Sequence, residues 1–155
     1  MPSAIRLRDV IQSDLPIFFE HQLEPNATKM AAFPARDEES FMKHWSKIMT
    51  DESVLIQTIL FNNQVVGNIL CFEMEGEKEI GYWLGKEFWG KGIASEAVRQ
   101  FLGQVMKRPL YAHVTKHNRA SQKVLEKCGF KVIGEDTWKP DLNQAEIEEL
   151  ILKLE

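Results

Sequence analysis

The sequence predicts a mixed α/β (α+β) fold, in which helices pack against a mostly antiparallel sheet. Three β-rich runs between residues 54 and 85 are joined by short turns, which is typical of an antiparallel meander. An amphipathic helix from residue 93 then separates the third run from another strand, and this order indicates a parallel crossover. Since 155 residues with 44% hydrophobic content amount to about one domain, we expect a single domain over residues 1–155.

Composition and charge exclude several classes of function. The formal net charge of -4 provides no positive field for nucleic acid. No run of about 18 apolar residues predicts a membrane span, and the first ten residues do not resemble a signal peptide. Cys71 and Cys128 belong to no pair motif, which favours a reducing compartment. The sequence therefore predicts a cytoplasmic protein with no nucleic-acid or membrane partner, and we expect a monomer or a homodimer.

The first third of the chain is predicted to form a strand, a helix, a loop and a second helix. Residues 4–10 favour a strand, and Ser13 is the expected N-cap of a helix over residues 14–23. Residues 24–36 contain two prolines and predict a loop. A second helix is expected over residues 37–49, because large hydrophobic side chains recur there at helical spacing: Phe41, Trp45, Ile48 and Met49.

The meander follows. Residues 54–60 and 65–72 are joined across Asn62 and Asn63, which tolerate the positive φ of a tight hairpin. The third run, residues 79–85, places alternate side chains on opposite faces: Ile80, Tyr82 and Leu84 on one, and Glu79, Gly81 and Trp83 on the other.

The second half alternates between helix and strand. An apolar helical stripe runs from Ile93 to Met106 and stops before a proline, and residues 110–115 favour a strand. A short helix follows, with Asn118 as N-cap and Gly129 as C-terminal cap. The last segment, from Ile147 onward, fits either a helix or a strand by periodicity.

The stretch GKEFWGKG, residues 85–92, resembles three kinds of phosphate site. It matches most of the Walker A pattern, but Gly92 stands where a hydroxyl should hold magnesium. The dinucleotide fingerprint fails too, because Ser95 replaces its third glycine and a meander precedes it. The remaining reading needs only backbone: free N–H groups from Gly90 to Ala94, at the positive end of a helix, can surround a diphosphate.

EIGYWLGKEFWGKGIASEA, residues 79–97, followed by NRASQKVLEKCGF, residues 118–130, resembles the GNAT superfamily of N-acetyltransferases. Within it, the match is similar to the ribosomal-protein alanine acetyltransferase-like branch, the RimJ/RimL type. The resemblance implies acetyl-CoA as cofactor and a sheet of about seven strands with about four helices. It also implies a splay between the fourth and fifth strands, in which the pantetheine arm lies. Glu87 departs from the family signature, which has Gln or Arg at that place.

The resemblance also implies the site residues. Acetyl transfer to an amine requires removal of a proton from nitrogen and delivery of one to the departing thiolate. Glu79 is the expected base, directly or through water, and Ser121 matches a residue that branch members place at the cofactor sulfur. The expected cofactor-binding residues are Trp83, Leu84, Trp89, Gly90, Lys91, Gly92, Ile93, Ala94, Asn118 and Ser121. No metal is expected, because His113 and His117 are four apart on a strand followed by a loop, which does not place them on one face.

The sequence thus predicts an N-acetyltransferase that binds acetyl-CoA and an amine acceptor together in a ternary complex. The acceptor expected first is an N-terminal α-amine of a protein or peptide, and a small primary amine comes second. Two alternatives remain open: a non-catalytic acyl-CoA-binding or sensor module of the same fold, and a nucleotide hydrolase that uses the near-match to Walker A.

Overall fold

The computed structural model describes residues 4–24, 37–139 and 146–155. Within these ranges the chain forms one mixed sheet of seven strands in the order β1-β2-β3-β4-β5-β7-β6. The strands are β1 (Ile5–Asp9), β2 (Leu55–Phe61), β3 (Gln64–Met74), β4 (Glu77–Leu84), β5 (Leu110–Thr115), β6 (Lys131–Trp138) and β7 (Ile147–Leu154). The predicted mixed and mostly antiparallel sheet is confirmed, and the ambiguous C-terminal segment is a strand.

Four α-helices accompany the sheet in the described ranges: α1 (Leu15–Gln22), α2 (Glu38–Met49), α3 (Ile93–Leu102) and α4 (Arg119–Lys127). The helices cover both faces of the sheet, because two consecutive residues of β3 pack on opposite sides: Val65 with the α1–α2 cluster, and Val66 in the core under α3 and α4. None of these helices is both long and apolar enough to cross a membrane.

Two sequence predictions about helix ends are wrong. Ser13 lies inside a short 3-10 helix, Gln12–Asp14, and is not the N-cap of α1. The next residue, Asp14, is buried and accepts hydrogen bonds from Arg8 and Thr58, which fixes this turn against β1 and β2. Helix α3 ends at Leu102, and Met106 is 84% exposed.

The early end of α3 has a local cause. Gly103 follows it directly, and glycine is a poor helix former. The guanidinium of Arg108 then donates to the carbonyls of Val105 and Leu102, so a side chain satisfies groups that a longer helix would have satisfied. The predicted loop over residues 24–36 lies outside the described residues except for Glu24.

Strands β4 and β5 separate after one bridged residue pair. They run parallel, and the one residue pair in register is Glu79 with Tyr111. By contrast, the whole length of β4 pairs with β3, from Met74–Glu77 to Gly67–Leu84. The splay that the resemblance implies is therefore present, and it opens toward the C-terminal end of β4, where α3 begins.

Candidate active site

A cavity of about 360 Å³ lies where β4, the start of α3 and the start of α4 meet. We call it the glycine-turn cavity. It brings together nine of the ten predicted cofactor-binding residues, and the tenth, Lys91, is exposed and lies outside its lining. Its described lining residues are Tyr82, Trp83, Leu84, Phe88, Trp89, Gly90, Gly92, Ile93, Ala94, Ser95, Asn118, Ala120, Ser121, Lys123 and Val124.

The turn before α3 forms one wall of this cavity, through Gly90, Gly92, Ile93 and Ala94. Gly90 and Gly92 have φ values of 74° and 77°, a backbone conformation that residues with a Cβ rarely adopt. Gly92 is the N-cap of α3, and no side chain caps the helix there. The first N–H groups of a helix have no intrahelical acceptor, and the helix dipole makes this end positive. The turn is therefore suited to an anion such as a diphosphate.

Two indole groups line the same cavity in different ways. The Nε1–H of Trp89 donates to the carbonyl of Leu84 over 2.9 Å, so this bond uses one lone pair of the backbone of an expected cofactor-binding residue. The Nε1 of Trp83 is buried and has no hydrogen-bond partner. A buried N–H without a partner is costly, and a ligand that accepts from it would remove that cost.

A second cavity, of about 200 Å³, lies in the splay between β4 and β5. We call it the splay cavity. Its polar lining includes His113 and Glu149. It shares four residues with the glycine-turn cavity: Tyr82, Trp83, Asn118 and Ser121. A ligand filling the first cavity would therefore end beside these four residues, within reach of a molecule in the second.

His113 lies between two carboxylates. Its Nε2 is 3.1 Å from Glu79 Oε1, and its Nδ1 is 3.6 Å from Glu149 Oε1. Glu79 is only 3% exposed and is not among the residues that line either cavity. Burial raises the pKa of the Glu79 carboxyl, and His113 offsets part of this effect. The imidazole and Glu149, but not Glu79, are therefore the parts of this array that line the splay cavity.

Ser121 is held by two contacts from different elements. Asn118, the N-cap of α4, accepts a hydrogen bond from the Ser121 backbone N–H at 3.2 Å, as the sequence predicts for this residue. The hydroxyl of Tyr82 donates to Ser121 Oγ over 2.9 Å. Ser121 thus presents its hydroxyl where the two cavities meet.

Four side chains with polar or charged groups lie at this site without having been predicted from the sequence as site residues, and they bear on its chemistry: Tyr82, His113, Lys123 and Glu149. Lys123 is the one lysine or arginine among the described lining residues of the glycine-turn cavity. Strand alternation grouped Tyr82 with Ile80 and Leu84 on one face of β4 but did not indicate its partner on α4. Glu149 could not be placed, because the pattern of its segment fitted two kinds of element. Among the described residues, no group of three or more His, Cys, Asp or Glu side chains is arranged to bind a metal.

Known proteins resemble the chain in sequence and in fold. The family model of the Acetyltransferase (GNAT) domain matches residues 4–131. "Uncharacterized N-acetyltransferase p20" of Bacillus licheniformis is 26% identical over 143 residues, covering 84% of this chain and 80% of that protein. Spermidine N-acetyltransferase from Vibrio cholerae, solved with CoA and spermine, has a TM-score of 0.82 at 16% identity, covering 97% of this chain and 95% of that one.

RimL, a ribosomal α-N-protein acetyltransferase solved with coenzyme A, has a TM-score of 0.81 at 20% identity, covering 96% of this chain and 92% of that one. These structures share the fold. The family match extends over most of the chain and includes β4, the glycine turn and α4. The chain therefore belongs to the GNAT family of acetyltransferases.

Proposed function

We propose that the protein is an acetyl-CoA-dependent N-acetyltransferase of the RimJ/RimL type, which transfers the acetyl group directly to a primary amine in a ternary complex. The observation that carries this proposal is the meeting of two cavities at Tyr82, Trp83, Asn118 and Ser121. The glycine-turn cavity is lined by backbone suited to a diphosphate, and the splay cavity is lined by His113, a side chain that can accept a proton. Such an arrangement allows direct transfer without a nucleophile on the protein.

The residues of the glycine-turn cavity fit coenzyme A. The N–H groups at Gly90–Ala94 would hold the diphosphate, with Lys123 as a nearby positive charge. The unpartnered Trp83 Nε1–H gives the pantetheine arm a donor inside the splay. When bound, acetyl-CoA supplies an acetyl thioester. Coenzyme A is present in the solved spermidine N-acetyltransferase and in RimL, which share this fold.

His113 is the residue that we assign to the amine proton. A neutral imidazole can accept a proton, and Glu79 and Glu149 on either side would stabilise the resulting positive charge. The predicted base, Glu79, then acts through His113, because its carboxylate is buried behind the imidazole. The Ser121 hydroxyl, at the boundary of the two cavities, donates to the sulfur as the thiolate leaves.

We propose an N-terminal α-amine of a protein or peptide as the acceptor class. An α-amine has a pKa near 8 and a lysine near 10.4, so at pH 7 obtaining the neutral lysine costs roughly 3 kcal/mol more. The α-amine therefore needs less help from a base than a lysine does. Among proteins of similar fold, RimL acts on a ribosomal α-amine and the Vibrio enzyme on spermidine. A small primary amine is therefore the second candidate.

The experiment that tests this function is a free-thiol assay with acetyl-CoA and a panel of acceptors. The panel contains peptides with varied N-termini, the same peptides with blocked α-amines, small polyamines and aminoglycosides. We expect thiol release with free α-amine peptides and its loss when the α-amine is blocked. Tight acetyl-CoA binding without thiol release from any acceptor would instead support a non-catalytic acyl-CoA-binding module.

A further inference from the structure

Tyr82 and Ser121 form a hydroxyl pair at the boundary between the glycine-turn cavity and the splay cavity. Tyr82 Oη donates to Ser121 Oγ over 2.9 Å, which links β4 to the first turn of α4. Both residues line both cavities. The pair therefore lies beside the place where a thioester in one cavity would meet an amine in the other.

The direction of this hydrogen bond determines what Ser121 can do. A serine hydroxyl carries one proton and two lone pairs. Because Tyr82 is the donor, Ser121 accepts in this contact, and the bond does not use the Ser121 proton. Burial raises the pKa of the Tyr82 phenol, and the hydrogen bond to Ser121 offsets part of that effect. Tyr82 consequently remains a donor at neutral pH.

Two anchors on different elements then fix Ser121. Asn118 holds its backbone N–H at the helix N-terminus, and Tyr82 holds its side-chain oxygen. With the oxygen held, rotation of the Ser121 proton is the remaining freedom of this group. A phenylalanine at position 82 would keep the ring but would release the oxygen.

Building on the proposed function, we propose that Tyr82 is a positioning residue for departure of the thiolate and acts through Ser121. As the C–S bond breaks, its electron pair stays on sulfur and the sulfur takes the Ser121 proton, which water then replaces. The Tyr82 phenol keeps its own proton. Its hydrogen bond stabilises the negative charge that collects on Ser121 Oγ during this transfer, which a lone serine in a poorly solvated site could not disperse.

The test is a double-mutant cycle on acetyl transfer with Tyr82→Phe, Ser121→Ala and the double variant. Tyr82→Phe should lower kcat about tenfold, the effect of one lost hydrogen bond, with KM for acetyl-CoA unchanged. In the Ser121→Ala background the same change should have no further effect on kcat, because Tyr82 acts only through the Ser121 hydroxyl. A tyrosine that merely supports packing would lower kcat by the same factor in both backgrounds.

Tyr111→Phe is the matched control, since Tyr111 is the second of the two tyrosines and lies on β5 beside Lys153, outside the lining of both cavities. It should leave kcat unchanged. Full activity of Tyr82→Phe, or equal losses in both backgrounds, would overturn this inference. The proposed function would still stand in that case, because the wild type would turn over. Absence of thiol release by the wild type itself would overturn both.

Discussion

Replacing His113 with glutamine is expected to lower kcat about 100-fold, which lies within the range for loss of a general base, with KM for acetyl-CoA unchanged. Glutamine keeps a polar group between Glu79 and Glu149 but cannot take a proton at neutral pH. Since His113 lines the splay cavity and not the glycine-turn cavity, cofactor binding should not change. Steady-state kinetics with the best acceptor of the panel measures both constants.

His117→Gln is the control for this substitution. His117 is exposed, lies four residues further along the chain and is outside the lining of both cavities, so its replacement should leave kcat within about twofold. Normal turnover of His113→Gln together with a large loss in Glu79→Gln would contradict the assignment of His113 and move the base to the buried carboxylate.

Replacing Gly92 with glutamate is expected to weaken acetyl-CoA binding about 100-fold, equivalent to about 2.7 kcal/mol. The new side chain would extend from the turn whose N–H groups hold the diphosphate, and its negative charge would repel it. A Cβ built on Gly92 meets nothing within 4 Å, so the first atom of the new side chain displaces no neighbour. Isothermal titration of acetyl-CoA measures the loss directly.

Gly76→Glu separates this effect from backbone strain. Gly76 has φ of 81° against 77° at Gly92, and a Cβ there also meets nothing within 4 Å. It lies in the β3–β4 turn, away from the lining of the glycine-turn cavity. Both variants should therefore lose similar stability, but only Gly92→Glu should lose affinity. Equal affinity in the two variants would argue against a diphosphate at the glycine turn.

Local patterns in the sequence were enough to predict most of the elements. The hairpin at Asn62–Asn63 has φ values of 51° and 65°, as its residue types predict, and the predicted N-cap Asn118 accepts a hydrogen bond from Ser121. These features depend on residues within three positions of each other. Helix ends set by distant or later groups were missed, as with Asp14 held by Thr58 of β2, and with Arg108 beyond α3.

The same distinction between local and distant contacts applies to the candidate site. The glycine turn and the N-cap of α4 belong to contiguous motifs, and the structure places them around one cavity. The array around His113 draws on β4, β5 and β7, and its third member depends on the pairing of β5 with β7. No spacing in the sequence indicates that pairing, because periodicity did not assign β7 to a strand. The Tyr82–Ser121 contact likewise joins residues 39 positions apart.

The central claim is that backbone N–H groups at residues 90–94 bind the diphosphate and direct the thioester into the splay. Nuclear magnetic resonance titration of ¹⁵N-labelled protein tests it most directly, with acetyl-CoA compared to S-acetylpantetheine, which lacks the diphosphate. The account predicts that acetyl-CoA shifts the amide signals of Gly90, Gly92 and Ala94 and the indole signal of Trp83, whereas the fragment shifts only the indole. Saturation with acetyl-CoA that leaves the three amide signals unmoved would contradict it.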